Sequence, residues 1–145
     1  MKRFSFRFQP VLNVRAARRD ARERELAQLL GEVDEARNKL KIYHSQLNQL
    51  VLGTVGENPG ALINQEYYRE TVSQNIREQN RVLREKEQLV GVSRKELLKA
   101  EQELRSMEII KEKEISLYRQ LAAQEEQKFL DETGTGLFLR SRENG

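Results

Sequence analysis

Apolar residues recur at alternating intervals of three and four between positions 26 and 50. The members of this series are Leu26, Leu29, Val33, Ala36, Leu40, Tyr43, Leu47 and Leu50. These intervals place every member on one side of an α-helix, as at the a and d positions of a heptad repeat. The pattern therefore predicts a coiled-coil helix.

A second heptad series occupies the C-terminal half of the chain. Apolar residues seven positions apart are Ile76, Leu83, Val90, Leu97 and Leu104, and the complementary positions hold Val72, Ala100, Met107, Tyr118 and Leu121. Polar Gln79, Lys86 and Ser93 interrupt this series. It predicts a second coiled-coil helix with a partly polar seam.

The two series are separated by a segment rich in helix breakers, Gly53–Gly60. We expect the first helix at about 5–52, a turn at 53–63, the second helix at about 64–132 and a tail at 133–145. A connection this short favours helices that fold back on each other. The predicted fold is all-α, a single domain over residues 1–145. It is a long two-helix antiparallel coiled-coil hairpin whose second helix overhangs by roughly 20–30 Å at 1.5 Å per residue.

Local signals set these expected helix ends. Gly53 suits the residue after a helix C-terminus, and Asn64 suits an N-cap. Ile63 and Tyr68 have the spacing of a hydrophobic staple. Gly134 and Gly136 are expected to end the second helix.

When the first heptad frame is extended toward the N-terminus, its next seam positions hold basic residues instead of apolar ones. It places Arg15, Arg19 and Arg22 on the seam, where cations are not expected to stay buried. A displaced apolar stripe is formed instead by Val11, Val14, Ala17 and Ala21. These residues predict a stutter in the repeat near Arg22.

Composition excludes several classes of function. The 145 residues are 34% charged and include no Cys and one His, so neither a thiolate nucleophile nor a transition-metal cluster is expected. No apolar run is long enough to span a membrane, and polar residues interrupt the N-terminal Phe-rich segment before a signal sequence can develop. We expect a non-enzymatic protein without a cofactor in a reducing, soluble compartment.

Basic residues concentrate near the N-terminus, where residues 1–24 hold eight Lys or Arg against two acidic residues. Arg15, Arg18, Arg19 and Arg22 share one helix face. A same-sign stripe repels itself, which favours an acidic binding partner over a plain solvated face. Asn13–Ala17 imitates part of a basic-zipper motif, but Asp20 stands where that motif needs a small polar residue, so nucleic-acid binding is not expected.

Two apolar clusters lie outside the heptad seams. Large residues flank the predicted turn, and because Tyr67 and Tyr68 point about 100° apart, one of them exceeds what a two-helix seam can cover. An exposed partner anchor and simple staple packing both remain open there. Phe4, Phe6 and Phe8, together with residues 137–139, form a second cluster that has no core of its own, so we expect it to insert into a partner.

Three segments of the chain resemble the FliJ proteins of the bacterial flagellar type III export apparatus. They are the segment from Phe6 to Arg15, Phe6-Arg-Phe-Gln-Pro-Val-Leu-Asn-Val-Arg, the ending Glu125-Glu-Gln-Lys-Phe-Leu-Asp-Glu-Thr-Gly134, and the pair Phe138 and Arg140. The resemblance implies a stalk similar to the injectisome stalk proteins and to the γ-subunit coiled coil of rotary ATPases. It also implies binding to the export ATPase hexamer, the cytoplasmic domain of the export gate membrane protein and substrate chaperones.

The resemblance further implies two sets of binding residues. For the export ATPase they are Phe6, Phe8, Leu12, Arg15, Arg18, Arg19, Arg22, Phe129 and Leu130. For the export gate they are Tyr43, Gln46, Leu50, Tyr68, Val72, Ile76 and Asn80. The implied protein is cytoplasmic, peripherally associated with the inner membrane through the apparatus without inserting into it, and monomeric when free. The alternatives are a homo-oligomeric coiled-coil scaffold or substrate chaperone and, more remotely, a nucleic-acid binder.

Overall fold

The computed structural model describes residues 2–52 and 59–144, and these residues form two α-helices and no strand. Helix α1 spans Gln9–Leu52 and helix α2 spans Pro59–Glu143, with 44 and 85 residues. The two helices pack against each other, which confirms the predicted all-α hairpin of two long helices. The predicted turn glycine Gly53 lies outside the described residues.

The ends of α1 agree with the sequence signals, whereas those of α2 differ. Helix α1 begins at Gln9, between Ser5 and Pro10, so that Pro10 lies in its first turn, and it ends at Leu52 as expected. Helix α2 begins at Pro59, so Asn64 lies inside the helix and is not its N-cap.

The C-terminal end was also placed too early, because α2 continues through Gly134 and Gly136 to Glu143. Glycine costs about 1 kcal/mol relative to alanine in a helix, yet it does not forbid helical dihedrals, and no described glycine has a positive φ. Residues 133–143 are therefore helical and not an irregular tail.

Contacts divide the chain into two compact units. The terminal unit comprises Met1–Ala17 and Glu101–Gly145, and the central unit is Arg18–Ala100. In the central unit the predicted seam residues Val33, Ala36 and Leu40 are buried, and the rest of that first heptad series is half-buried. The heptad pattern thus identified the packed face of α1 correctly.

Ion pairs between the helices of the central unit fix their direction. Arg22 pairs with Glu96 at 3.2 Å, Glu32 with Lys86 at 2.9 Å, and Arg37 with Glu87 at 3.3 Å. From the first pair to the second, the residue number rises from 22 to 32 along α1 and falls from 96 to 86 along α2. The helices of this unit are therefore antiparallel.

Two polar residues on the α2 seam of the central unit differ in how their polar atoms are satisfied. Ser93 is buried, and its Oγ has no hydrogen-bond partner among the described residues. Lys86 is half-buried, and its Nζ donates a hydrogen bond to Glu32. The Lys86 stem can cover apolar seam surface while its charged head reaches a carboxylate.

The terminal unit contains an irregular segment in addition to the two helices. Residues 2–8, which we call the N-terminal strap, precede α1 and lie against α2. In the same unit, residues 123–144 are all exposed except Gly136. The helical part of this stretch, 123–143, is the C-terminal extension, and at 1.5 Å per residue it is about 30 Å long. An overhang of this size was predicted.

The Glu32–Lys86 pair provides a test of the antiparallel register. Glu32→Lys or Lys86→Glu alone should lower the free energy of unfolding by about 1 kcal/mol, because each places two like charges together at a half-buried site. The double exchange Glu32→Lys/Lys86→Glu should recover most of that loss. Urea unfolding of all four proteins measures the coupling energy.

The Arg37–Glu87 pair is the matched control, since it also joins α1 to α2 but its side chains are 56% and 47% exposed. Its exchange should give a coupling energy near zero, because solvent screens exposed pairs. Equal coupling energies for the two pairs would contradict the packing described for Lys86.

Candidate partner-binding surfaces

The N-terminal strap is held on α2 by a small aromatic core. Phe6 is buried with 6% exposure, and the Phe4 ring packs against the Tyr118 ring with centroids 5.5 Å apart. The Tyr118 hydroxyl donates a 2.7 Å hydrogen bond to the Lys2 carbonyl, and Lys111 lies 6.0 Å from the Phe6 ring centroid. The expectation that these phenylalanines have no core of their own is wrong for Phe6, because α2 continues past the start of α1 and supplies one.

Phe8 takes a different environment from Phe6. Its ring is 40% exposed, and the Arg7 guanidinium lies 5.6 Å from its centroid. Leu12 is half-buried one turn further along α1. Of the proposed ATPase-binding residues at the start of the chain, Phe8 is therefore more accessible than Phe6.

The arginine stripe continues the α1 seam instead of leaving it. Arg15, Arg19 and Arg22 are half-buried, whereas Val11 and Val14 are 40% and 58% exposed. The predicted stutter and displaced apolar stripe are thus wrong. Long arginine stems can pack along a seam while the guanidinium reaches a polar partner outside it.

Each arginine of this stripe has a partner within the chain. Arg15 donates a 2.9 Å hydrogen bond to the Glu103 carbonyl, and Arg19 pairs with Glu23 at 2.9 Å. Arg22 pairs with Glu25 at 3.1 Å as well as with Glu96. Arg18 is exposed and also has an interaction partner. The stripe therefore does not require an acidic partner from outside.

The C-terminal extension exposes large apolar side chains on every side. Phe129 and Leu130 are 67% and 54% exposed. Leu137, Phe138 and Leu139 are consecutive and exposed, so they point about 100° apart around the helix. The residues between them are mostly polar or charged, so these five side chains form exposed apolar surface of the kind that marks a protein-binding site.

The residues proposed for the export gate lie in the central unit, at the end of α1 and the start of α2. Tyr68 and Asn80 are exposed, Val72 is buried at 2%, and the remaining four, Tyr43, Gln46, Leu50 and Ile76, are half-buried. Tyr68 and Asn80 can contact a partner directly, whereas Val72 supports the helix packing beneath them.

The first turns of α2 expose an aromatic patch that the gate set does not include. It consists of Leu62, Ile63, Tyr67 and Tyr68, with exposures of 46%, 70%, 77% and 44%. The predicted staple between Ile63 and Tyr68 is wrong, because α2 begins earlier and Ile63 points to solvent. The sequence signal for this patch was the surplus of large residues next to the turn.

The pKa shifts of Glu78 and Arg105 belong to exposed ion pairs on the helix surface. Hydrogen bonds from Arg81 hold the pKa of Glu78 below its usual range, and the hydrogen bond to Glu112 raises the pKa of Arg105. These groups are fully exposed, so such pairs add little stability. Across residues 2–52 and 59–144, no cluster of three His, Cys, Asp or Glu side chains could hold a metal ion.

Neither α1 nor α2 contains a stretch that is both long and apolar enough to cross a bilayer.

Comparison with known families decides the identity of the chain. The model of the family described as "Flagellar FliJ protein" matches residues 4–143, which include both helices and part of the strap. The chain belongs to the FliJ family. FliJ proteins are non-catalytic components of the flagellar export apparatus. The comparisons find no significant match among curated proteins or among solved structures.

The buried position of Phe6 predicts how the strap of this FliJ-family protein responds to mutation. Phe6→Ala should release the strap, because Phe6 is the one buried residue among residues 2–8. Trypsin cleavage after Arg3 and Arg7 should then become several-fold faster, while urea unfolding of the two helices changes little, since the opening is local.

Phe8→Ala is the control, because its ring is 40% exposed and meets the Phe6 ring edge-on, with centroids 6.0 Å apart. It should raise the cleavage rate much less than Phe6→Ala does. If both variants are cleaved equally fast, Phe6 does not anchor the strap.

Proposed function

We propose that this protein is a non-catalytic stalk of the flagellar export apparatus that binds the export ATPase ring and links it to the export gate. Membership in the FliJ family supports the assignment to the apparatus. The observation that carries the ATPase contact is the C-terminal extension, whose apolar side chains are exposed in all directions.

The exposure pattern favours insertion of the extension into an enclosing partner. An apolar patch on one side of a helix would suit a flat partner surface, whereas residues 137–139 cover three directions about 100° apart. A ring of subunits contacts an inserted helix from all sides. In this proposal Phe129, Leu130 and Phe8 make direct contacts.

The buried and paired members of the ATPase set have a supporting role. Phe6 and Leu12 maintain the packing next to Phe8. Arg15 and Arg22 bond to residues of α2, and Arg19 pairs with Glu23 on α1 itself. Arg18 is the stripe residue with the most exposed position. Reversing the charge of all four arginines would therefore disturb folding as well as binding.

An ATPase assay with the cognate export ATPase tests the contact. Phe129→Ala/Leu130→Ala should raise the concentration needed for half-maximal stimulation by about tenfold or more, because exposed apolar anchors of this size contribute about 2 kcal/mol or more at interfaces. Both side chains are exposed, so the variant should keep its helical content and unfolding midpoint.

Leu89→Ala/Leu98→Ala is the matched control, since these residues of α2 are also exposed, at 48% and 55%, but lie in the central unit. It should stimulate like the wild type. Absence of stimulation by the wild type, or equal effects of the two double variants, would overturn the ATPase proposal.

The gate contact is proposed for the exposed part of the gate set together with the aromatic patch. Tyrosine is enriched at interface hot spots because it combines a large apolar ring with a hydroxyl. Tyr68 belongs to both groups, and Tyr67 extends the accessible aromatic surface beside it. Val72 lies beneath this surface and does not contact the partner.

The gate proposal predicts that Tyr67→Ala/Tyr68→Ala weakens binding to the cytoplasmic domain of the gate protein by about tenfold. Titration calorimetry with the two purified proteins measures the change. Phe129→Ala/Leu130→Ala should leave this affinity unaltered. A gate affinity that depends on the C-terminal extension and not on the tyrosines would contradict the division of the two contacts.

The remaining parts of the proposal concern assembly and location. We propose a monomer when free, cytoplasmic and attached to the inner membrane only through the apparatus, with substrate chaperones as further partners. The polar seam residue Lys86 has its carboxylate partner within the chain, which weakens the argument that polar seam residues set a homo-oligomeric state. The arginine pairs likewise weaken the case for a nucleic-acid binder.

A further inference from the structure

A groove of about 450 Å³ lies where the N-terminal strap meets α2 in the terminal unit. Its apolar lining comes from Phe4, Leu117 and Leu121, and its cationic lining from Lys2 and Arg3. None of these five residues belongs to the sets proposed for the ATPase or the gate.

The strap side of the groove is fixed before any partner arrives. Tyr118 contacts it twice, through the ring of Phe4 and through the hydrogen bond to the Lys2 carbonyl. Phe6, two residues after Phe4, is buried and holds the strap backbone against α2. A preformed groove loses little conformational entropy when it binds, which favours affinity.

The apolar lining on α2 has the geometry of a helix-packing ridge. Leu117 and Leu121 lie one turn apart and are 56% and 46% exposed. Residues at i and i+4 form the ridges that fit between the side chains of another helix. A partner helix with apolar residues at the same spacing can therefore pack beside them.

The charges of the groove define the polar character of that helix. Lys2 and Arg3 make no ion pair with any residue the structure describes, in contrast to Arg19 and Arg22. One carboxylate, that of half-buried Glu114, also lines the groove. Two unpaired cations against one carboxylate favour acidic residues on the partner.

We propose that this groove docks an acidic amphipathic helix of a partner protein. Its apolar residues pack on Leu117, Leu121 and Phe4, and its carboxylates pair with Lys2 and Arg3. An anionic lipid surface is attracted by clusters of about four to eight basic residues, whereas this groove offers two cations and one carboxylate, so it suits a protein helix better.

A labelled peptide tests the proposal without any other export component. The probe is a helical peptide of about 14 residues with leucine at i and i+4 positions and glutamate elsewhere. Its counterpart carries lysine in place of glutamate. Fluorescence anisotropy at physiological salt, where weak surface attraction is screened, should show saturable binding of the acidic peptide and none of the basic one.

Two variants of the groove and two matched controls complete the experiment. Lys2→Glu/Arg3→Glu and Leu117→Ser/Leu121→Ser should each weaken binding of the acidic peptide by about tenfold. Arg140→Glu/Arg142→Glu makes the same charge change elsewhere in the terminal unit. Leu89→Ser/Leu98→Ser removes leucines of similar exposure, 48% and 55%, that belong to neither proposed contact. Both controls should bind within twofold of the wild type, and circular dichroism checks that all variants are folded.

Three results would overturn the proposal. They are equal binding of the acidic and basic peptides, equal effects of the groove variants and their controls, and groove-dependent binding to phosphatidylserine vesicles without binding to the acidic peptide. Because the peptide assay contains neither the ATPase nor the gate protein, its failure is distinct from a failure of the proposed function.

Discussion

The pairing of α1 with α2 along a heptad seam is the constraint on which the other features depend. In the central unit the seam buries Val33, Ala36 and Leu40, a stripe one side chain wide along α1. A two-helix seam leaves most of each helix exposed, so the described part of the central unit, residues 18–52 and 59–100, has no interior in which to build an enclosed site. Any function must use side chains that the seam does not cover.

The seam could be predicted from the sequence because its intervals of three and four persist from Leu26 to Leu50. Its continuation through Arg15, Arg19 and Arg22 could not, since the prediction treated a seam position as one that buries the whole side chain. Arginine has an apolar stem and a polar head, and here the head bonds to a backbone carbonyl or to glutamates. A pattern of hydrophobic positions therefore does not predict an arginine on the seam.

The C-terminal end of α2 was mispredicted for a similar reason, because the usual preference of one residue type was applied too strictly. Gly134 and Gly136 suggested an end because glycine lowers helix propensity, but propensity is a weak preference in a helix of 85 residues. The exposed residues Phe129 and Leu130 were identified in advance by family resemblance. The groove beside Leu117 was not foreseen, because it depends on where an irregular strap lies, and periodicity does not predict that.

The strap shows how one buried ring divides a set of similar residues into different roles. Phe4, Phe6 and Phe8 alternate in sequence, yet Phe6 is buried, Phe4 packs on Tyr118 and Phe8 stays partly exposed. Burial of Phe6 fixes the backbone on both of its sides, and that in turn places Lys2 and Arg3 beside exposed leucines of α2. The strap is thus the part of the basic N-terminus whose cations are most available to a partner, because Lys2 and Arg3 have no ion-pair partner among the described residues. The arginine stripe is the least available part, because its arginines already have partners within the chain.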